Sequence, residues 1–207
     1  MSRDWENWDV RGVAGEIQTI WRSSEEEDAH REQLANIVFS YASNRDPSIL
    51  EVGCGTGLIY EKLANKTEID IEYTGVDSSI KMLEIARQNF PGGQFLFGDG
   101  YELFFRNQEF DIVLCFEVLG HIPQIEHFVK ELLRTTNRIC LFTIWPSRAS
   151  DVEESYEIID GVRFLHRNYS EEYIRKIISL HSRDRSYELD TIPLLSGGLA
   201  YVVSMNS

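Results

Sequence analysis

The chain has 207 residues, 43% of them hydrophobic and 12% aromatic, enough for one packed domain with at most a small appendage. Acids outnumber bases 34 to 20, a formal charge of −14, and no basic stripe runs along the sequence. That balance argues against DNA, RNA and anionic membranes as partners and leaves small molecules or basic surfaces.

The longest apolar runs, such as Ile139–Trp145, are too short to span a bilayer. The opening MSRDWENWDV lacks the basic-then-apolar pattern of a signal peptide, so a cytoplasmic location is expected. Cys54, Cys115 and Cys140 form no C-x-x-C pair and fit a reducing compartment.

In chain order, residues 10–43 read as polar helix, with Leu34, Ile37, Val38 and Tyr41 as its apolar spacing. Asn44-Arg45-Asp46-Pro47 breaks that pattern. Ser48–Val52 is a strand followed by a glycine turn and a helix over Leu58–Asn65. A strand over Ile69–Val76 and a helix over Ile80–Phe90 follow, the latter with Ile80, Leu83, Ile85 and Ala86 inward. Strands at Gln94–Phe97, Phe110–Phe116 and Arg138–Trp145, with a helix over Ile125–Thr135, continue the alternation. Apolar strands alternating with helices imply a parallel sheet covered on both faces. Residues 146–168 form an acidic, tyrosine-bearing segment; a helix then runs from Ser170 to Leu180, and Tyr187–Ile192 with Leu199–Met205 reads as a hairpin.

Parallel sheets bind ligands beyond the carboxyl ends of their strands, which points to Ile49–Leu63, ILEVGCGTGLIYEKL. A dinucleotide turn needs G-x-G-x-x-G, but Gly53, Gly55 and Gly57 make G-x-G-x-G, with Leu58 where the third dinucleotide glycine would fall. Acids mark three successive strand ends: Glu51, Asp77 and Asp99. Asp77 lies where an acid bonding a ribose belongs, and Glu51 would repel a pyrophosphate. The pattern suits a nucleoside with a positive amino-acid tail.

These residues resemble the class I S-adenosylmethionine-dependent methyltransferases. The resemblance runs through Glu51-x-Gly53-Cys54-Gly55-Thr56-Gly57, GVDSSIKMLEIA at Gly75–Ala86, Gly98-Asp99-Gly100, and DIVLCFEVLGHIP at Asp111–Pro123. It implies an α/β, Rossmann-like sheet of seven mostly parallel strands, order 3-2-1-4-5-7-6, with an antiparallel last strand and helices on both faces. It also implies S-adenosyl-L-methionine as cofactor and S-adenosyl-L-homocysteine as product. Residues 1–43 would be a helical lid region and 44–207 the core, with an acceptor-side insertion at 146–169. Gly53, Cys54, Gly55 and Gly57 would let the loop approach the methionine moiety, with Glu51 steadying it. Asp77 and Ser78 would meet the ribose, Asp99 and Gly100 the adenine, with Ile80 or Tyr101 over the ring. Phe116 and Glu117 would begin the loop passing the sulfonium. The turn before the fifth strand departs from the family pattern: Thr135-Thr136-Asn137, where Asn137 tolerates a left-handed conformation.

His121 has two open readings, a general base for a hydroxyl acceptor or a packing residue. Trp5, Trp8, Trp21, Arg22, Trp145 and Tyr156 are lid or acceptor candidates, with Arg22 placed to meet the cofactor carboxylate. The scattered histidines make no metal set. The expected acceptor is a hydroxyl, or an amine, of a small metabolite or sugar, met by a monomer or homodimer. The alternatives are a protein methyltransferase acting on a basic partner and a non-catalytic cofactor-binding subunit.

Overall fold

A computed structural model describes residues 8–10, 13–42, 46–66, 70–159, 161–182 and 185–206. Among them, β1 (Ser48–Val52) pairs in parallel with β2 (Glu72–Asp77) and β4 (Phe110–Cys115). The strand β3 (Gln94–Phe97) adds outside β2, and β5 (Thr136–Pro146) outside β4, both parallel. Antiparallel to β5 runs β9 (Leu199–Met205), which pairs in turn with β8 (Tyr187–Pro193). Counting these seven strands in chain order gives the expected 3-2-1-4-5-7-6, with the last strand antiparallel. The order reverses between β1 and β4, and that break opens the crevice above β1.

The sequence reading missed two more strands. Inside the 146–169 insertion, β6 (Val152–Ile159) and β7 (Val162–Tyr169) form an antiparallel hairpin. It joins the carboxyl end of β5 through Trp145↔Asn168 and Pro146↔Tyr169. Tyr169 is fully buried and donates its hydroxyl to the Leu119 carbonyl at 3.0 Å, which anchors the hairpin to the segment after β4.

Helices cover both faces because the central strands are apolar on both sides. One face packs α5 (Ile125–Thr135) and α6 (Glu171–His181) through Phe128, Leu132 and Ile177. The other packs α2 (Glu25–Ala42), α3 (Leu58–Ala64) and α4 (Ile80–Asn89) through Leu34, Val38, Leu63 and Leu83. Each such side chain stabilises the fold by ~1.5–3 kcal/mol. A third cluster lies apart from both. Ala14 and Ile17 of α1 (Val13–Ser23), Met82 and Phe164 are buried together, with Trp8 and Trp21 against them. This cluster ties the N-terminal segment to the β6–β7 hairpin. Ser24 separates α1 from α2, its hydroxyl accepting from the Glu27 amide at 3.2 Å as an N-cap would.

Two local expectations change. Ile80 is 51% exposed and Met82 is buried instead, so Ile80 covers no ligand face. Strand β5 begins directly after α5, with Thr136 extended at φ −77° and ψ 126° and no left-handed residue at 135–137. The Arg185 guanidinium donates to the carbonyls of Thr136 and Asn137, the first two residues of β5.

Candidate cofactor and acceptor site

The loop after β1 is built from backbone that only glycine adopts comfortably. Gly53, Gly55 and Gly57 have φ of 81°, 51° and 81°. A Cβ on Gly53 would lie 2.2 Å from Val118 Cγ2, so the loop runs against the segment after β4 with no room for a side chain. The Gly53 and Cys54 amides both bond the Val76 carbonyl, at 2.7 and 3.1 Å. Gly57 plays a different part from the one expected. It caps α3, its Cβ position faces the rings of Phe90 and Phe95, and it does not border the cavity.

Two acids organise this loop from beneath. Asp77, at the end of β2, accepts from the Gly55 amide (Oδ2) and the Ser79 amide (Oδ1), both at 2.8 Å. Burial raises its carboxyl above the usual range, against the pull of those two bonds. Glu51 is 2% exposed within β1 and accepts the Tyr73 hydroxyl proton. Burial pushes it up to about 8, the Tyr73 bond lowering it and the Asp77 charge raising it further. Asp99 follows β3, its Oδ1 accepting from the Tyr101 amide at 2.9 Å. Gly100 beside it is forced by packing, since a Cβ would sit 2.2 Å from the Phe128 ring.

At one end of the cavity, α2 contributes two residues that sequence reasoning missed. Arg31 is 8% exposed and donates to the Trp21 carbonyl at 2.5 Å and to Glu27 at 3.3 Å. Burial lowers its guanidinium from the ordinary value, while Glu27 and Asp28 raise it. His30 is 5% exposed and donates Nε2–H to Glu117 at 3.3 Å. Glu117 is not glycine yet has φ 59°, a conformation that costs a residue of this kind about 1 kcal/mol or more. Thr143 holds it there, accepting from the Glu117 amide at 2.8 Å and donating to its carboxylate at 3.0 Å. The signal for His30 was legible: 30, 34 and 38 fall on one helical face with Leu34 and Val38.

At the other end, His121 closes a short 3-10 turn over Leu119–His121. Its Nδ1 lies 2.9 Å from the Leu165 carbonyl, which can only accept, so Nδ1 carries the proton and Nε2 a lone pair in the neutral ring. Burial lowers its basicity below the usual value, opposed by the Leu165 bond. His166 on β7 packs against it edge-on at 4.8 Å, and Trp8 does so at 5.5 Å.

A cavity of about 460 Å³ connects the two ends, a size suited to a nucleoside-like ligand with room beside it. It is bordered by Glu51, Gly53, Cys54, Gly55, Asp77, Ser78, Asp99, Gly100, Tyr101, Phe116, Glu117 and His121, so it gathers the expected site residues apart from Gly57. Trp8, Trp21 and Trp145 border it too. Arg22 does not: it pairs with Glu61 at 3.3 Å. Tyr156 points elsewhere, its ring 3.4 Å from the Arg163 guanidinium and its hydroxyl bonded to Glu154. Trp5 lies outside the described residues. Among those residues, no three His, Cys, Asp or Glu side chains are placed to hold a metal ion. Thr56 Oγ1 and His30 Nδ1 are buried without a partner on residues that border the cavity. Unmet buried polar atoms of this kind fit a site completed by a polar ligand.

Comparison with known proteins agrees with this arrangement. Residues 49–138 match the family model for a methyltransferase domain. A demethylmenaquinone methyltransferase of Thermotoga maritima is 40% identical over 101 residues, 47% of this chain and 44% of that protein. A ubiquinone biosynthesis O-methyltransferase of Coxiella burnetii is 34% identical over 86 residues, 40% of this chain and 36% of that one. The chain thus spans less than half the length of the curated relatives it matches. Among solved structures, an S-adenosylmethionine-dependent methyltransferase from Clostridium acetobutylicum superposes with a TM-score of 0.71 at 17% identity, covering 93% of this chain and 99% of that one. Magnesium protoporphyrin IX methyltransferase from Synechocystis, with bound S-adenosylmethionine, gives 0.70 at 17% identity over 100% of this chain and 99% of that one. At such identity these two establish the fold. Residues 49–138, which carry the glycine loop and the acids at the strand ends, thus match a methyltransferase domain, on a sheet with the fold of S-adenosylmethionine-dependent methyltransferases.

Proposed function

We propose that the chain transfers a methyl group from S-adenosyl-L-methionine to a hydroxyl of a small molecule, leaving S-adenosyl-L-homocysteine. The observation that carries this reading is one cavity with Asp77 and Asp99 toward the ends of β2 and β3, the buried Arg31 on α2, and His121 facing in. When bound, the cofactor supplies an electrophilic methyl on a positive sulfur. The chain holds it at two places: carboxylates accept hydrogen bonds from the hydroxyls and the ammonium, and the Arg31 guanidinium donates to the tail carboxylate. Arg31 takes the part that the sequence reading gave to Arg22. Trp8, Trp21 and α1, packed on the β6–β7 hairpin, form the lid that keeps water from the reacting atoms.

His121 then decides the type of acceptor. Displacement at a methyl group needs mainly alignment, and an amine can attack with its own lone pair. A hydroxyl attacks well only as its proton leaves, and Nε2 of His121 is the atom prepared to take it. The similarity to the Thermotoga demethylmenaquinone methyltransferase and the Coxiella ubiquinone biosynthesis O-methyltransferase supports a small-molecule acceptor.

The test is methyl transfer to a pool of hydroxyl compounds with wild-type and His121→Gln protein. His121→Gln should slow transfer by about 10²-fold or more with unchanged affinity for S-adenosyl-L-homocysteine. An unchanged rate would remove the base from the mechanism.

A further inference from the structure

The acceptor end of the cavity has a composition unlike the cofactor end. Trp8 meets Phe164 at 4.8 Å between ring centroids and His121 at 5.5 Å, and His121 meets His166 at 4.8 Å. All four rings border the cavity, as does Trp145, so this end is walled by flat side chains. Its formal charge comes from Glu157, whose Oε2 lies 3.1 Å from His166 Nε2. The guanidiniums nearby on the hairpin are engaged elsewhere: Arg163 lies over Tyr156, and Arg167 bonds Glu154 and the Pro123 carbonyl. Arg31, the arginine that does border the cavity, lies on α2 with Trp21 and Glu27. Among the described residues, the acceptor end therefore offers stacking surface, the His121 and His166 imidazoles and the Glu157 carboxylate, with Glu117 next along the cavity and no Lys or Arg bordering this end.

We infer that the acceptor is an aromatic hydroxyl compound without anionic groups, its ring laid on the Trp8–Phe164 wall, its hydroxyl at His121 Nε2, and any polar or cationic substituent toward Glu157. This deepens the methyltransferase reading and rests on it. A ring gains twice here. Stacking against the wall fixes its plane, and a phenolic proton is more acidic than that of a sugar alcohol, so the weakened basicity of a buried imidazole suffices. In the transfer the acceptor oxygen forms its bond to the methyl carbon as the carbon–sulfur bond breaks. That electron pair stays on sulfur, and the phenolic proton passes to Nε2. The imidazolium so formed keeps its Leu165 bond, and the Glu117 and Glu157 charges favour it.

The hairpin explains why these residues meet. Glu157 and Phe164 are register partners across β6 and β7, as are Ser155 and His166. Phe164 and His166 share one face of β7 because alternate strand residues point the same way. Trp8 reaches that face from the other end of the chain.

Three catechols of similar size test the idea: dopamine (cationic), catechol (neutral) and 3,4-dihydroxybenzoate (anionic), beside methyl glucoside and benzylamine. Transfer should favour the catechols, with dopamine ahead of dihydroxybenzoate by about tenfold or more in kcat/KM, the scale expected for one nearby carboxylate. Glu157→Gln should shrink that ratio severalfold. Catechol should also quench tryptophan fluorescence of protein saturated with S-adenosyl-L-homocysteine, and Trp8→Leu should weaken catechol's apparent affinity in that titration. Trp8 is only partly buried, so this variant tests the wall without the folding risk of replacing Phe164. Intact S-adenosyl-L-homocysteine binding with inert catechols, or preference for methyl glucoside or benzylamine, would overturn the acceptor inference alone. Absence of S-adenosyl-L-homocysteine binding would overturn the methyltransferase reading and this one together.

Discussion

Replacing Glu51 by glutamine should make the protein more stable at neutral pH, by an amount that grows with pH. Glu51 is 2% exposed, and burial pushes its carboxyl from an unfolded 4.5 up to about 8. Between those values the folded chain holds a proton that the unfolded chain has released. Raised pH therefore favours unfolding, because the contribution is fully present below 4.5 and is lost as pH climbs toward about 8. Each pH unit inside the window costs about 1.4 kcal/mol, so the step from pH 5 to pH 7 costs roughly 3 kcal/mol through this group. For a chain of this length that corresponds to roughly 6–12 °C in Tm. Glutamine does not titrate, and its carbonyl can still accept the Tyr73 hydroxyl proton. Urea unfolding of both proteins at half-unit steps from pH 5 to pH 8 reads the difference directly. A stability gap that stays constant across those steps would refute the buried, protonated carboxyl.

Other positions yield sharper binding outcomes. Gly53→Ala places a Cβ 2.2 Å from Val118 Cγ2 at φ 81°. It should cost about 1–3 kcal/mol in urea unfolding, with Val118→Ala in the same chain recovering the clash but not the backbone strain. Asp77→Ala removes the acceptor of the Gly55 and Ser79 amides, and calorimetry should show at least about tenfold weaker S-adenosyl-L-homocysteine. Arg31→Met keeps the apolar stem and loses the charge; affinity should fall about tenfold for S-adenosyl-L-homocysteine and hardly at all for adenosine. Equal losses for the two ligands would deny Arg31 the carboxylate.

How much of this was legible beforehand follows the range of the interactions. The strand–helix alternation and the acids at strand ends are local signals, so the sheet order, Glu51, Asp77 and Asp99 could be placed from spacing and resemblance. The β6–β7 hairpin was not. Its segment VEESYEII breaks the apolar alternation at Glu153-Glu154, because one edge strand faces solvent and needs no buried stripe. Arg22 and Arg31 show the same limit from the other side. Arg22 lies in the last turn of α1 and Arg31 inside α2, and only the fold shows that Glu61 takes one while the other turns inward. Ile80 looked inward by helical period, yet α4 packs on its Met82 and Leu83 side.

The account stands most directly on isothermal calorimetry of the purified chain with S-adenosyl-L-homocysteine. It predicts saturable binding at one site per chain, undisturbed by NADH in excess. A flat titration at saturating ligand, or displacement by NADH, would contradict the assignment of the cavity above β1 to this nucleoside.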